Sequence, residues 1–491
     1  MGKLLTRASD FLFKNQTLRQ TAAKNTIWLG ISNVGGRLLK AAIIIYAARL
    51  LGAAGLGVFS YAVTLAGFLS ILIDMGVNQI LTKSIAASND QKERIQFIST
   101  AFFMKIGLLA VGTALIILVG PHLTSLEEAQ ALMPIVAIIF IFDALREFGF
   151  AFIKAIEKME YEAGLYIFTN LAVVTFGFFF LFLSPTPRAL ALSYAIGTGL
   201  GATATFFTLR HHFRQLFTGF TKKLIKPILT LAWPFAISGL LGGLMLNTDI
   251  LMLGWYTSAE DVGLYSAAQR IIQILYILPA ILAASILPIF ARLAAGDKEK
   301  FRRVFERVAS IILLAAIPIA VGGAILNKEI ITLIFGFPFL AAAIPFALLS
   351  LTILADYPSV ILSNAIFSYN KHRKLVVFAA IGGFGNVVLN FLLIPRYGII
   401  GCAIATLITQ IISNAYLWGQ MKKINPFSVH KGLIRMTGAT LIMSLVVYIL
   451  NTAGLPLIGT VIIGIITYFS TLTILREPIL KEIRSVFRSS A

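Results

Sequence analysis

The sequence predicts an all-α integral membrane protein with about fourteen transmembrane helices, arranged as two pseudo-symmetric six-helix lobes plus two C-terminal helices. Three observations lead there. Apolar runs of about 20 residues recur from end to end, each long enough to cross roughly 30 Å of hydrocarbon. Only 13% of the 491 residues are charged and 58% are hydrophobic, with a mean hydropathy of +0.88; soluble domains carry about 25% charged residues. Finally, the cations alternate from loop to loop along the chain.

The elements follow in chain order. Residues 1–25 place Lys3, Arg7, Lys14, Arg19 and Lys24 along an amphipathic stretch with no small-residue cleavage site. This predicts a helix on the cytoplasmic membrane surface. The first lobe, 26–209, holds spans at about 26–51, 56–81, 98–119, 131–153, 161–183 and 189–209. Residues 210–227 form the longest and most basic internal loop, read as the cytoplasmic link between lobes. The second lobe, 228–420, holds spans at about 228–254, 262–291, 304–326, 341–367, 375–394 and 398–420. Two further spans, at about 432–450 and 455–475, are appended, and 476–491 form a basic cytoplasmic tail.

Loop charge sets the orientation. With the N-terminus inside, the outer loops hold only Arg188, Lys328 and Arg396, and the other loop cations lie in the even-numbered loops and the two tails. Both termini are therefore expected to be cytoplasmic, in the cytoplasmic membrane. The outer loops are short or mildly acidic, as in Ser125–Glu128 and Ser258–Asp261. The net charge of +20 would point to nucleic acid in a soluble protein; spread over short loops it reads as a membrane orientation signal, and no nucleic acid is expected. Cys402 is the sole cysteine, so no intrachain disulfide can form. There is no phosphate-binding Gly-x-x-x-x-Gly-Lys-Ser/Thr loop. His122, His211, His212, His372 and His430 lack metal-ligand spacing, and His211-His212 reads as solvated loop charge. No catalytic residue is assigned and no enzyme activity is expected.

Charged residues within spans are the candidate functional groups, because a cation at mid-membrane costs at least roughly 2.5–3.5 kcal/mol on insertion scales. Arg37 and Lys40 share a face of span one, three residues apart. Arg270 lies in span eight, where the alternative is a structural ion pair with Asp249. Together these cations predict a positively charged internal chamber. Asp143, Arg146 and Glu147 share a face of span four and either neutralise one another or form a proton or sugar-hydroxyl site. Arg49 and Lys105 sit near span ends and are expected to snorkel. Asp74 has Lys83 as a candidate partner or caps a neighbouring helix, and Asp356 lies two residues before Pro358. Pro234, Pro279, Pro288, Pro318, Pro345 and Pro358 cluster in spans seven to ten, which predicts kinked helices there.

A weak internal repeat connects the halves. Gly57-Val58-Phe59-Ser60-Tyr61-Ala62 enters span two, and Gly263-Leu264-Tyr265-Ser266-Ala267-Ala268 enters span eight. Parallel repeats of this kind are a transporter architecture, with the substrate site between the halves. Three stretches carry a family resemblance: Ala48-Arg49-Leu50-Leu51-Gly52 leading to Gly57–Tyr61; Asp249-Ile250-Leu251-Met252-Leu253-Gly254 leading to Val262–Ala268; and Asn386-Val387-Val388-Leu389-Asn390 leading to Ile394-Pro395-Arg396-Tyr397-Gly398 and Ala403–Thr406. Taken in this order, over nearly the whole chain, they resemble the polysaccharide transporters of the multidrug/oligosaccharidyl-lipid/polysaccharide exporter superfamily, the flippases of lipid-linked oligosaccharides.

The resemblance implies two six-helix lobes in a V, alternating access to a central cavity, and a polyprenyl-phosphate- or pyrophosphate-linked glycan as cargo. In the related lipid II flippases, arginines on spans one and eight line the cavity; Arg37 and Arg270 match them, and Lys40 adds charge to the same face. A sodium site on spans seven, eleven and twelve is implied as well, for which Asp249, Asn386, Asn390, Cys402 and Thr406 are the candidates. This chain has Asn390 where the family site has a carboxylate. The expected coupling ion is Na⁺ or H⁺, with no other cofactor or metal. Membrane lipids and glycan polymerases or glycosyltransferases of the same pathway are the implied partners of a monomeric carrier. A cation-coupled multidrug exporter and a membrane glycosyltransferase or polymerase are the alternatives; the first needs an acidic cavity, the second sizeable extramembrane loops.

Overall fold

The computed structural model describes residues 18–480, apart from Asn89 and Gln215. Of the expected amphipathic segment, residues 1–17 lie outside that range, as do residues 481–491 of the tail. Residues 18–25 continue directly into the first helix, α1 (Leu18–Asp74). Every regular element among the described residues is helical. After α1 come α2 (Val77–Ala87), α3 (Gln91–Ala114), α4 (Glu127–Ala155), α5 (Met159–Leu183), α6 (Pro187–Thr208), α7 (Ile225–Tyr256), α8 (Ala259–Leu275) and α9 (Ile277–Ala294). Then follow α10 (Lys298–Ile325), α11 (Asn327–Phe335), α12 (Ala343–Ser368), α13 (His372–Ile424), α14 (His430–Thr452) and α15 (Leu457–Ile474).

Eleven stretches among the described residues are long and apolar enough to cross a membrane. Two of these, α1 and α13, are double, because Gly52 and Gly398 adopt φ of 68° and 54° and break the helix there. That left-handed conformation is open to glycine without a Cβ penalty. With α4 as the remaining span, the count agrees with the fourteen expected from the sequence.

The chain divides into two compact units, Met1–Gly263 and Leu264–Ala491. In the first, α5 packs on α6 and α1, α4 packs on α6 and α1, and α7 packs against α1. Phe102, Phe148, Phe150, Phe152 and Phe213 belong to one buried core cluster of this unit. In the second, α12 lies between α10 and α13, and α14 joins α15 to α10.

The two repeated glycines meet each other. A Cβ at Gly57 would run into the Ala259 carbonyl, four residues before Gly263. A Cβ at Gly263 would run into the Ala53 carbonyl, four residues before Gly57. The contact is reciprocal, so the same short motif supplies the same surface twice, and only glycine permits this backbone approach.

The prolines also find local solutions. Pro234, Pro288, Pro318 and Pro358 stand inside helices, whereas Pro279 and Pro345 sit in the first turns of α9 and α12. The missing N–H of Pro279 would have reached the Leu275 carbonyl; the Tyr357 hydroxyl donates to that oxygen instead, at 2.6 Å. Pro318 frees the Leu314 carbonyl, and the Tyr468 hydroxyl donates to it at 2.9 Å. These two carbonyls are thus capped from another helix, as an apolar surrounding favours.

Candidate functional site

The first arm of α1 carries the cations expected in the chamber. Arg37 is exposed, Lys40 is half-buried, and among the described residues neither has a carboxylate partner. Lys40 lies over the ring of Tyr166 on α5, with Nζ 5.8 Å from the ring centroid. Gly36 makes this possible: a Cβ there would collide with the Tyr166 ring. The opposite constraint acts on Arg146 of α4, which is buried. Its guanidinium pairs with Asp143 at 3.0 Å and Glu147 at 3.2 Å, and lies 5.4 Å from the Phe150 ring and 5.8 Å from the Tyr166 ring. The shared face expected from the i, i+3 and i+4 spacing is therefore an ion triad. Tyr166, which sequence pattern left unmarked, joins it to Lys40.

Two expectations at the end of α1 need correcting. Asp74 pairs with Lys105 of α3 at 2.6 Å rather than with Lys83, and the Lys105 side chain is buried rather than snorkelling. A lysine turned inward gains a partner that a lipid-facing lysine lacks. Lys24 likewise pairs with Glu160 at 2.9 Å, and Lys154 with Glu162 at 3.2 Å. The Asp74–Lys105 pair borders an open cavity of about 400 Å³ lined by α1, α2, α3 and α4, with Asn78, Gln79, Thr82, Asp143, Glu147 and Lys154 on its walls.

In the second unit, Arg270 makes a long hydrogen bond from Nη1 to Gln273 Oε1, 3.5 Å, and no carboxylate partner among the described residues. The residues considered for sodium form a hydrogen-bonded set across the two arms of α13. Asn390 Nδ2 donates to Asn386 Oδ1 at 2.9 Å, Asn386 Nδ2 to Thr406 Oγ1 at 3.3 Å, and Thr406 Oγ1 to the Cys402 carbonyl at 3.1 Å. The Tyr265 hydroxyl lies 3.3 Å from Thr406 Oγ1. Asp249, the remaining member, is buried in the first unit. Asp356 is buried as well, accepting from the Tyr276 hydroxyl and from Asn414 Nδ2 at 3.4 Å. In the loop after α6, His212 is exposed, as expected, with one side of its ring 5.3 Å from that of Phe152. Loss of solvent, with Lys158, His211 and Arg94 nearby, holds its pKa below the ordinary histidine value.

The comparisons with known proteins agree with this fold. Residues 22–294 match the family described as polysaccharide biosynthesis protein, and residues 234–392 match the MatE family. The chain is 23% identical to the probable low-salt glycan biosynthesis flippase Agl15 of Haloferax volcanii over 466 residues, covering 93% of this chain and 96% of that protein. It is 29% identical to the probable flippase AglR of the same organism over 170 residues, 34% of this chain and 36% of that protein, so this match spans about a third of AglR. The fold matches the solved structure described as lipid II flippase MurJ, inward closed conformation, with a TM-score of 0.79 at 19% identity over 92% of this chain and 100% of that one. With a family match running over more than half its length, from α1 to the end of α9, the chain belongs to the polysaccharide biosynthesis protein family.

Proposed function

We propose that this protein is a flippase. It carries a polyprenyl-phosphate- or pyrophosphate-linked oligosaccharide across the cytoplasmic membrane by alternating access, for assembly of a cell-surface glycan. One observation carries the reading. Arg37, Lys40 and Arg270 have no carboxylate partner among the described residues, whereas Lys24, Lys105, Arg146 and Lys154 each have one. Cations placed within spans and left without a counter-ion are suited to an anionic cargo, since phosphate oxygens supply charge-assisted hydrogen bonds to them. An organic cation would be repelled by the same groups. The names of the relatives Agl15, AglR and MurJ support the same direction.

The termini are placed in the cytoplasm on the loop-charge asymmetry, and the carrier acts as a monomer alongside the enzymes that build or polymerise the glycan. Na⁺ or H⁺ is the proposed coupling ion, with Asp249, Asn386, Asn390, Cys402 and Thr406 as the candidate Na⁺ ligands. The test is leaflet-resolved transport of a polyprenyl-pyrophosphate oligosaccharide in reconstituted vesicles, with and without Na⁺ and pH gradients. Protein-dependent movement of the glycan between leaflets is expected. No movement above protein-free vesicles for any lipid-linked glycan in a panel overturns the reading, and movement indifferent to both gradients removes ion coupling.

A further inference from the structure

The cavity of about 400 Å³ in the first unit differs in chemistry from the Arg37–Lys40 stretch beside it. Its ions are already paired. Lys105 is held by Asp74, Lys154 by Glu162, and Arg146 is shared by Asp143 and Glu147. No cation is left over for a phosphate. Two ammonium groups line the same walls as the carboxylates, and the volume greatly exceeds that of a bare ion, so a metal cation is poorly matched too. What remains is unused hydrogen-bonding capacity of both kinds. Each ammonium has three donors and each carboxylate about four acceptor positions, and one ion pair consumes a fraction of these. Asn78 and Gln79 add side-chain amides to the lining, each with two donors and an acceptor oxygen. The Thr82 hydroxyl donates to the Ala151 carbonyl at 2.9 Å, which leaves its oxygen an acceptor.

An anion uses donors only, and a cation uses acceptors only. A hydroxyl donates one hydrogen bond and accepts two, so it is the ligand group that fits walls offering both. Phe140 adds an apolar ring surface to the lining, suited to the C–H face of a pyranose. The volume falls at the lower end of the roughly 300–1,000 Å³ of small-molecule sites. We propose that this cavity is a subsite for uncharged sugar residues, on the order of one or two hexose or N-acetylhexosamine units of the carried glycan. This rests on the flippase reading. The wall continues into the cation face: Glu147 pairs with Arg146, and Arg146 and Lys40 both approach the ring of Tyr166. A glycan whose phosphate is held at Arg37 and Lys40 thus has its sugars next to the cavity.

The test uses the full chain in nanodiscs and two separate probes. Binding of the methyl glycosides of glucose, galactose, mannose and N-acetylglucosamine is followed by saturation-transfer NMR, and binding of polyprenyl monophosphate by radioligand filtration. Asn78→Ala and Glu147→Gln are each expected to weaken glycoside binding about tenfold, the effect of losing one or two hydrogen bonds. Neither should change binding of the polyprenyl phosphate. Arg37→Ala should do the reverse. Gln79 is exposed, so Gln79→Ala provides a third readout should either of the other variants fail to fold. The subsite is overturned if no methyl glycoside binds, if binding survives all the folded variants, or if the variants abolish Na⁺ binding and no glycoside is bound. Glycoside binding that the variants remove, in a protein that does not bind polyprenyl phosphate, would support the subsite and count against the flippase reading.

Discussion

The difference between Arg37 and Arg146 shows how surroundings decide what one residue type does. Both guanidiniums lie in apolar spans, but Arg146 is buried between two carboxylates and Arg37 meets none among the described residues. Arg37 is therefore expected to serve a ligand more than the fold. Arg37→Ala should abolish transport while leaving expression and thermal unfolding close to wild type, and Arg37→Lys should retain part of the activity, since it keeps the charge and loses the bidentate fork. Wild-type transport by Arg37→Ala would sink the anion-cavity reading. Arg146 makes the contrary case. Arg146→Met leaves two acids facing each other, and should lower stability by less than the roughly 3–5 kcal/mol of a fully buried pair, because both carboxylates are partly exposed. Adding Asp143→Asn and Glu147→Gln to Arg146→Met removes the stranded charges and should restore much of the loss in a thermal unfolding assay. A triple variant no more stable than the single one would show that the triad is not what holds α4.

At the scale of the helix, the close approaches and the broken rungs are the points of control. The reciprocal glycine contact leaves no room for a methyl group on either side. Gly57→Ala and Gly263→Ala should each destabilise the protein by about 1–3 kcal/mol through overpacking. Gly107→Ala, where an added Cβ meets open space, should unfold no earlier than wild type. Equal unfolding temperatures for all three variants would refute the contact. Tyr468 and Pro318 allow a sharper measurement. Tyr468→Phe strands the Leu314 carbonyl, and a buried unsatisfied acceptor costs about 1–3 kcal/mol. In a Pro318→Ala background the backbone N–H of residue 318 can reach that carbonyl, so the same substitution should cost distinctly less. A double-mutant cycle with no coupling would mean that the tyrosine is not repairing the helix.

At the scale of the molecule, loop charge makes the strongest forecast. Reporter fusions placed after Lys226 and after Ala491 should both report cytoplasm, because the loops on that side carry nearly all the loop cations. An external reading for either would break the fourteen-span parity. Alternating access adds a dynamic expectation, which the proposed transport requires. Spin labels at the exposed positions Lys83 and Arg292 should show two distance populations whose ratio shifts when a lipid-linked glycan is added. One distance, unchanged by any glycan or ion, would count against a carrier of this kind.

The number of spans, the paired motifs and the cations of span one were legible in the sequence because each rests on local pattern. Hydrocarbon thickness fixes the length of a span, and charge within it stands out against an apolar background. Spacing on one helix also placed Asp143, Arg146 and Glu147 together. Partners on other helices were not legible. Asp74 turned to Lys105 instead of Lys83, Tyr166 came between Lys40 and Arg146, and Tyr357 and Tyr468 reached carbonyls freed by prolines far away in the chain. Asp74, Lys105, Asp143 and Glu147 stood out singly in the sequence, but the cavity they share did not, since its walls come from four helices. Period and composition determine which face of a helix is polar; which polar groups then meet is decided by how the helices pack, because in an apolar medium each such group must find its partner across space.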